Sequence, residues 1–223
     1  MTELRLVPGE VEDGPFSAGT PLPRRLPPGR HGIPANLVVE HQRRRLLAAM
    51  AETLAEHGYA NVTTTQVSEG ANVSTSTFYK HFGNLWDCAL AAYVAAADRL
   101  CEEIEAACAE ADPRSEPLEV GTGAALHFCV SEPAAAQLLC AQAPFEAAAL
   151  TAGRRLLISR LAAMLRRVRG AEEGALQPAG LDERLIDATL AFLAGRISRG
   201  EVESLDELGP ELTAILERPR RAA

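Results

Sequence analysis

The stretch GYANVTTTQVSEGANVSTSTFYKHF, residues Gly58 to Phe82, decides the fold and most of the function. Its spacing predicts two short helices joined by a tight turn. Thr63 or Thr64 is placed to cap the first helix, its hydroxyl accepting a hydrogen bond from an otherwise orphan amide. Val67 and Ala71, four apart, share the inner face of that helix. Asn72 is one of the few non-glycine residues that tolerates the left-handed backbone needed to end a helix abruptly. Val73 plugs the turn and Ser74 caps the next helix. On that second helix Phe78 and Phe82 face inward, which leaves Thr75, Ser76, Thr77, Tyr79, Lys80 and His81 to the outer and flanking faces. Rings inward and small hydroxyls outward suit a helix that packs with one side and enters a DNA groove with the other. A surface helical hairpin that binds nothing would share the capping pattern.

Taken together, the segment resembles the DNA-binding domain of the TetR family of bacterial repressors. The resemblance rests on Gly58, Tyr59, Thr63, Ala71, Val73, Ser74, Thr77, Phe78, Tyr79, His81 and Phe82, and spans roughly Ile33 to Tyr93. Asn72 stands where the family usually has a turn glycine, and Leu85 where it often has a phosphate-contacting lysine. The resemblance implies an all-α fold: an N-terminal three-helix helix-turn-helix domain, then a helical ligand-binding and dimerisation domain. It further implies a transcriptional regulator, a repressor, that binds a double-stranded DNA operator and a small-molecule effector. Ser74 through His81 would enter the major groove, with Thr75, Ser76 and Thr77 nearest base edges. Thr63, Thr64, Tyr79, Lys80 and His81 would mainly meet phosphates.

Composition agrees. The 223 residues are rich in Ala, Leu, Glu and Arg and only 4% aromatic, which favours helices. The net charge of −8 is unevenly spread: Leu22 to Phe82 carries +3 and the remainder −11. A basic end on an acidic body orients the molecule on a polyanion. Arg43, Arg44 and Arg45 either serve that purpose or form a solvated helix face, since three consecutive residues cannot all point one way. No apolar run approaches the roughly 20 residues that span a bilayer, and no signal-peptide core is present, so a cytoplasmic location is expected. Five cysteines (Cys88, Cys101, Cys108, Cys129, Cys140) show no metal-ligand spacing and read as reduced, buried thiols. Neither a metal nor a cofactor is expected, and no catalytic residue stands out. Two alternatives remain: a thiol-based redox-sensing regulator acting through Cys88 or Cys101, and an all-helical enzyme.

The layout expected is an N-terminal extension over residues 1–32, rich in proline and glycine and disordered, serving either as a linker or as a basic arm on DNA. A DNA-binding domain over 33–83 and an effector-binding and dimerisation domain over 84–223 follow. Helices are predicted at about 36–57, 84–111, 116–130, 133–141, 145–169, 181–199 and 204–217 besides the two short ones. Val39, Leu46, Leu47, Met50 and Leu54 supply the inward stripe of the first. The last two, at 181–199 and 204–217, carry broad apolar faces. By the resemblance, these pair with their symmetry mates in a homodimer. Candidates for the ligand pocket are Tyr93, His127, Phe128, Gln137, Phe145 and Phe192, with Gln142 and Met164 beside them. Such a pocket would suit a small, largely apolar effector.

Overall fold

A computed structural model describes residues 35–140, 148–169 and 180–217. The expected N-terminal extension, Gln142 and Phe145 lie outside them. Among the described residues every regular element is helical. The chain runs through α1 (Ala35–His57), α2 (Thr64–Gly70), α3 (Thr75–His81) and α4 (Leu85–Glu110). It continues through α5 (Pro117–Ser131), α6 (Pro133–Cys140), α7 (Ala148–Val168) and α8 (Leu181–Ser198). A single 3-10 turn, Asp206–Leu208, leads into α9 (Gly209–Glu217).

Local chemistry explains the first four helices. Leu46, Leu47, Met50 and Leu54 of α1 are buried, but Val39 is 51% exposed, like Leu37 at 43%. Val39 therefore does not belong to the inward stripe that the described residues bury. Gly58, at φ +71, ends α1, its amide bonded to the carbonyl of Leu54 at 2.9 Å; a residue with a Cβ would be strained there. Thr63 is the cap of α2. Its hydroxyl accepts from the Gln66 amide while the Gln66 side chain accepts from the Thr63 amide, a reciprocal capping box. Gly70 lets α2 settle against α1, since a Cβ there would meet that of Ala49 at 3.3 Å. Asn72 takes the left-handed conformation at φ 49, and the amide of Val73 reaches back to Ser68 at 2.9 Å. Asn84 caps α4 through the amide of Asp87 at 2.9 Å.

α4 is the central post. It packs on α1, α5, α6 and α7. Its buried face includes Ala89, Ala92, Ala96 and Ala97, whose small side chains let neighbouring helices approach closely. Tyr59, just past α1, stacks on Trp86 at the start of α4 with ring centroids 6.1 Å apart. α6 is wedged among α1, α4, α5 and α8. α9 folds back onto α5 and buries Leu212, Thr213 and Leu216, leaving Ile215 54% exposed.

Charged side chains fasten the helices at defined registers. Asp98 pairs with Arg160 at 2.5 Å and Glu105 with Arg167 at 3.1 Å. Both partners advance by seven residues between the two pairs, so α4 and α7 run parallel with two rungs between them. α7 and α8 run antiparallel, joined by Arg154 to Asp187 at 2.9 Å and Arg169 to Asp182 at 2.6 Å. Arg154 also donates to the carbonyls of Leu139 and Cys140, each at 3.1 Å, and so satisfies two acceptors at the end of α6.

Candidate nucleic-acid interface and effector cavity

The helix-turn-helix presents α3 by its capping. Phe78 is fully buried and Phe82 nearly so, with ring centroids 5.7 Å apart. This anchors one side of α3 and turns Thr75, Ser76, Tyr79 and Lys80 to solvent. Ser74 and Thr77 behave differently. The Ser74 hydroxyl accepts from the Thr77 amide at 3.0 Å and shares a hydrogen bond with the Thr77 hydroxyl at 2.9 Å. Both hydroxyls are thus engaged in capping α3, and Thr77 is half-buried. The Thr63 hydroxyl is likewise held by Gln66 at 2.7 Å, and Thr64 beside it is half-buried.

His81 is half-buried, its Nε2 3.4 Å from Oε1 of Gln42. Burial first, then the cations Arg43 and Lys80, hold its imidazole below the usual range. It is neutral at neutral pH and can offer a hydrogen bond but not charge. Lys80 is the only Lys or Arg of α3. Lys80→Ala should therefore weaken binding to specific and scrambled duplexes alike and shallow the salt slope by about one unit. An unchanged slope in a salt titration would remove Lys80 from the phosphate contacts.

The three consecutive arginines serve the scaffold in part. The guanidinium of Arg43 lies over the Phe82 ring, 4.7 Å from its centroid. Arg45 donates to the carbonyl of Asn72 at 3.4 Å and braces the turn from α1. Leu85 packs half-buried against the core.

A cavity of about 610 Å³ opens among α4, α5, α6, α7, α8 and α9. Exposure orders its wall. Buried Leu126, Phe128, Leu139 and Cys140 form the floor; exposed Glu105, Ala109, Pro117 and Arg167 form the mouth. Most of the lining is aliphatic. Of the pocket candidates read from sequence, Phe128 and Met164 line this cavity. Tyr93 is buried outside the wall and donates to the carbonyl of Leu139 at 3.4 Å. His127 is exposed on the outer side of α5. Gln137 points the other way, its amide donating to the Ala55 carbonyl of α1 at 3.2 Å. Phe192 is 44% exposed on α8 and is no part of the wall either.

Sequence reasoning missed most of the lining, including Leu100, Ile104, Cys108, Thr122 and Ile186. Only the apolar periodicity of α4 and α5 signalled them, and it marks core and cavity wall alike. The two thiols considered as sensors are both buried. Burial pushes Cys88 up to about 12 and Cys101 above its usual value, which disfavours the reactive thiolate in each. Among the described residues no cluster suits a metal ion, and no helix is long and apolar enough to cross a membrane.

Residues 46–91 match the family model described as bacterial regulatory proteins, tetR family. No curated protein sequence matches the chain. Solved structures do. The fatty acid degradation regulator FadR from Bacillus halodurans is 17% identical with a TM-score of 0.67, over 82% of this chain and 97% of that one. The transcriptional regulator FadR from Bacillus subtilis, solved with stearoyl-CoA, is 18% identical with a TM-score of 0.61, over 77% and 96%. The TetR family regulator PfmR from Thermus thermophilus is 21% identical with a TM-score of 0.56, over 81% and 98%. All three are described as regulators, and at such identities the likeness is one of fold. The helix-turn-helix lies within the stretch that matches the model of this family of bacterial regulatory proteins, and the described helices share the fold of these solved regulators.

Proposed function

We propose that this protein is a homodimeric transcriptional repressor whose hold on its operator is weakened by a small, largely apolar ligand in the cavity beneath α4. The observation that carries the reading is the outward face of α3, free on Thr75, Ser76, Tyr79 and Lys80, within a segment that matches a DNA-binding family. Thr75 and Ser76 meet base edges, through hydroxyl and methyl contacts rather than arginine forks. Tyr79 and Lys80 meet phosphates. Thr63, Thr64, Ser74, Thr77 and His81 flank the groove and hold α3 in place.

Three observations support control from the cavity. Its wall is apolar and its volume falls within the roughly 300–1,000 Å³ range of small-molecule pockets. The like-folded regulator from Bacillus subtilis was solved with stearoyl-CoA, so a fatty acyl chain is the ligand class we favour. Finally, α6 contributes Ala136, Leu139 and Cys140 to the wall while Gln137 bonds to α1. One short helix thus touches both the ligand space and the DNA-binding helices, and a ligand that prefers one placement of α6 biases the other end.

Pairing of two copies is proposed through α7 and α8. Leu156 of α7 and Phe192 of α8 are exposed at 58% and 44%, beside exposed Ala152, Ala188 and Ala191. α9 is a poorer candidate than its sequence suggested, because most of its apolar face is already covered by α5.

The test is a salt titration of binding to DNA from the protein's own promoter region beside a scrambled duplex of equal length, with and without stearoyl-CoA. A strong preference for the native duplex, two protomers per site and release by the acyl-CoA are expected. Equal, salt-erased binding to both duplexes would overturn the regulator reading.

A further inference from the structure

We infer that the ligand carries an anionic head, and that this head acts by taking Arg167 away from Glu105. The inference rests on the reading of the cavity as the effector site. Both residues stand at the mouth of the cavity, and they form the lower of the two rungs between α4 and α7. The pair is 69% and 58% exposed, so water already screens it and an incoming anion meets little resistance. The upper rung, Asp98 to Arg160, is outside the cavity wall.

The arrangement has a consequence for α4. An apolar chain fills the aliphatic interior, and its head comes to rest where the wall changes from buried to exposed. A guanidinium binds carboxylate or phosphate in the same fork. Arg167 therefore exchanges Glu105 for the head, while Asp98 and Arg160 stay paired. The carboxyl-terminal half of α4 thereby loses its rung to α7 and keeps its packing on α5, its middle stays tied to α7 through Asp98, and its amino-terminal end packs on α1. A neutral chain of equal length fills the same space but leaves the lower rung closed. Head charge, rather than chain occupancy alone, then sets the signal.

The experiment compares stearate, stearoyl-CoA and stearyl alcohol by calorimetry on the full chain, below their aggregation limits, in wild type, Arg167→Met, Glu105→Gln and Arg160→Met. Thermal unfolding confirms that each variant is folded. In wild type the anionic probes should bind at least about fivefold tighter than the alcohol, the range of one exposed charged hydrogen bond. Arg167→Met should erase that preference and leave alcohol binding unchanged. Glu105→Gln should tighten the anionic probes about threefold by removing their competitor, and Arg160→Met should leave the preference intact. Dependence on Arg167 for stearate alone identifies a carboxylate head; for stearoyl-CoA alone, the phosphates of a thioester; either supports the inference. An anion preference that survives in Arg167→Met overturns it. Failure of every probe to bind wild type would instead remove the fatty-acyl reading of the cavity, and the inference with it.

Discussion

Phe192→Asp should turn a dimer into monomers and lower operator affinity by about a hundredfold or more. The side chain is 44% exposed on α8, an unusual place for a large ring in water. When two recognition helices are joined, the second half-site is bound intramolecularly, and such linkage raises avidity by about 10²–10⁴ over one module alone. A carboxylate in the middle of the proposed interface must be stripped of water with no partner and would forfeit that gain. Leu156→Asp on α7 should behave alike. Ile215→Asp on α9 should remain dimeric, since α9 is engaged with α5 in its own chain. Sedimentation with parallel operator titration distinguishes these cases. A Phe192→Asp protein that sediments as a dimer would discard α8 as the pairing face.

Phe78→Ala should cost about 3–5 kcal/mol of stability, the range for removing a fully buried ring. Phe78 has no exposed surface and packs edge-on to Tyr79 and tilted to Phe82, with centroids at 5.4 and 5.7 Å. The loss is a large fraction of the roughly 5–15 kcal/mol that holds a domain together. It falls on the helix proposed to reach DNA, so specific binding should vanish with it. Ser76→Ala, on the exposed face of the same helix, should change stability by no more than about 0.5 kcal/mol while weakening operator binding. Urea unfolding of the two variants tests the division between inner and outer faces of α3. Equal stability of Phe78→Ala and wild type would show that the ring is not the anchor described.

Elements written in neighbouring residues were legible before any coordinates. The cap at Thr63 or Thr64, the left-handed turn at Asn72 and the cap at Ser74 each join residues no more than a few positions apart, though only the structure singles out Thr63 and adds Gln66 as its partner. Caps and turns act over that range, so their sequence signatures carry most of the information. The burial of Phe78 and Phe82 follows from the helical period in the same way. Within α3 itself, however, local pattern did not separate free hydroxyls from engaged ones. Thr75 and Thr77 read alike in sequence, and only the Ser74 contact marks Thr77 as a capping residue.

The cavity was illegible for a different reason. Its wall is drawn from six helices, and aliphatic residues facing a void repeat with the same period as those facing a neighbour. Conspicuous side chains were poor guides: Gln137 ties α6 to α1, and His127 faces solvent. Arg167 and Glu105 are 62 positions apart and acquire meaning only when α4 and α7 lie parallel.

The sequence alone therefore determined most of the helices and the division of α3 into an inward and an outward face, because hydrogen bonding and periodicity act within a few residues. Tertiary packing decided which apolar faces line a cavity, which cover their own core and which remain open to a second copy. Those outcomes depend on the registers at which distant helices meet, and no local pattern encodes them.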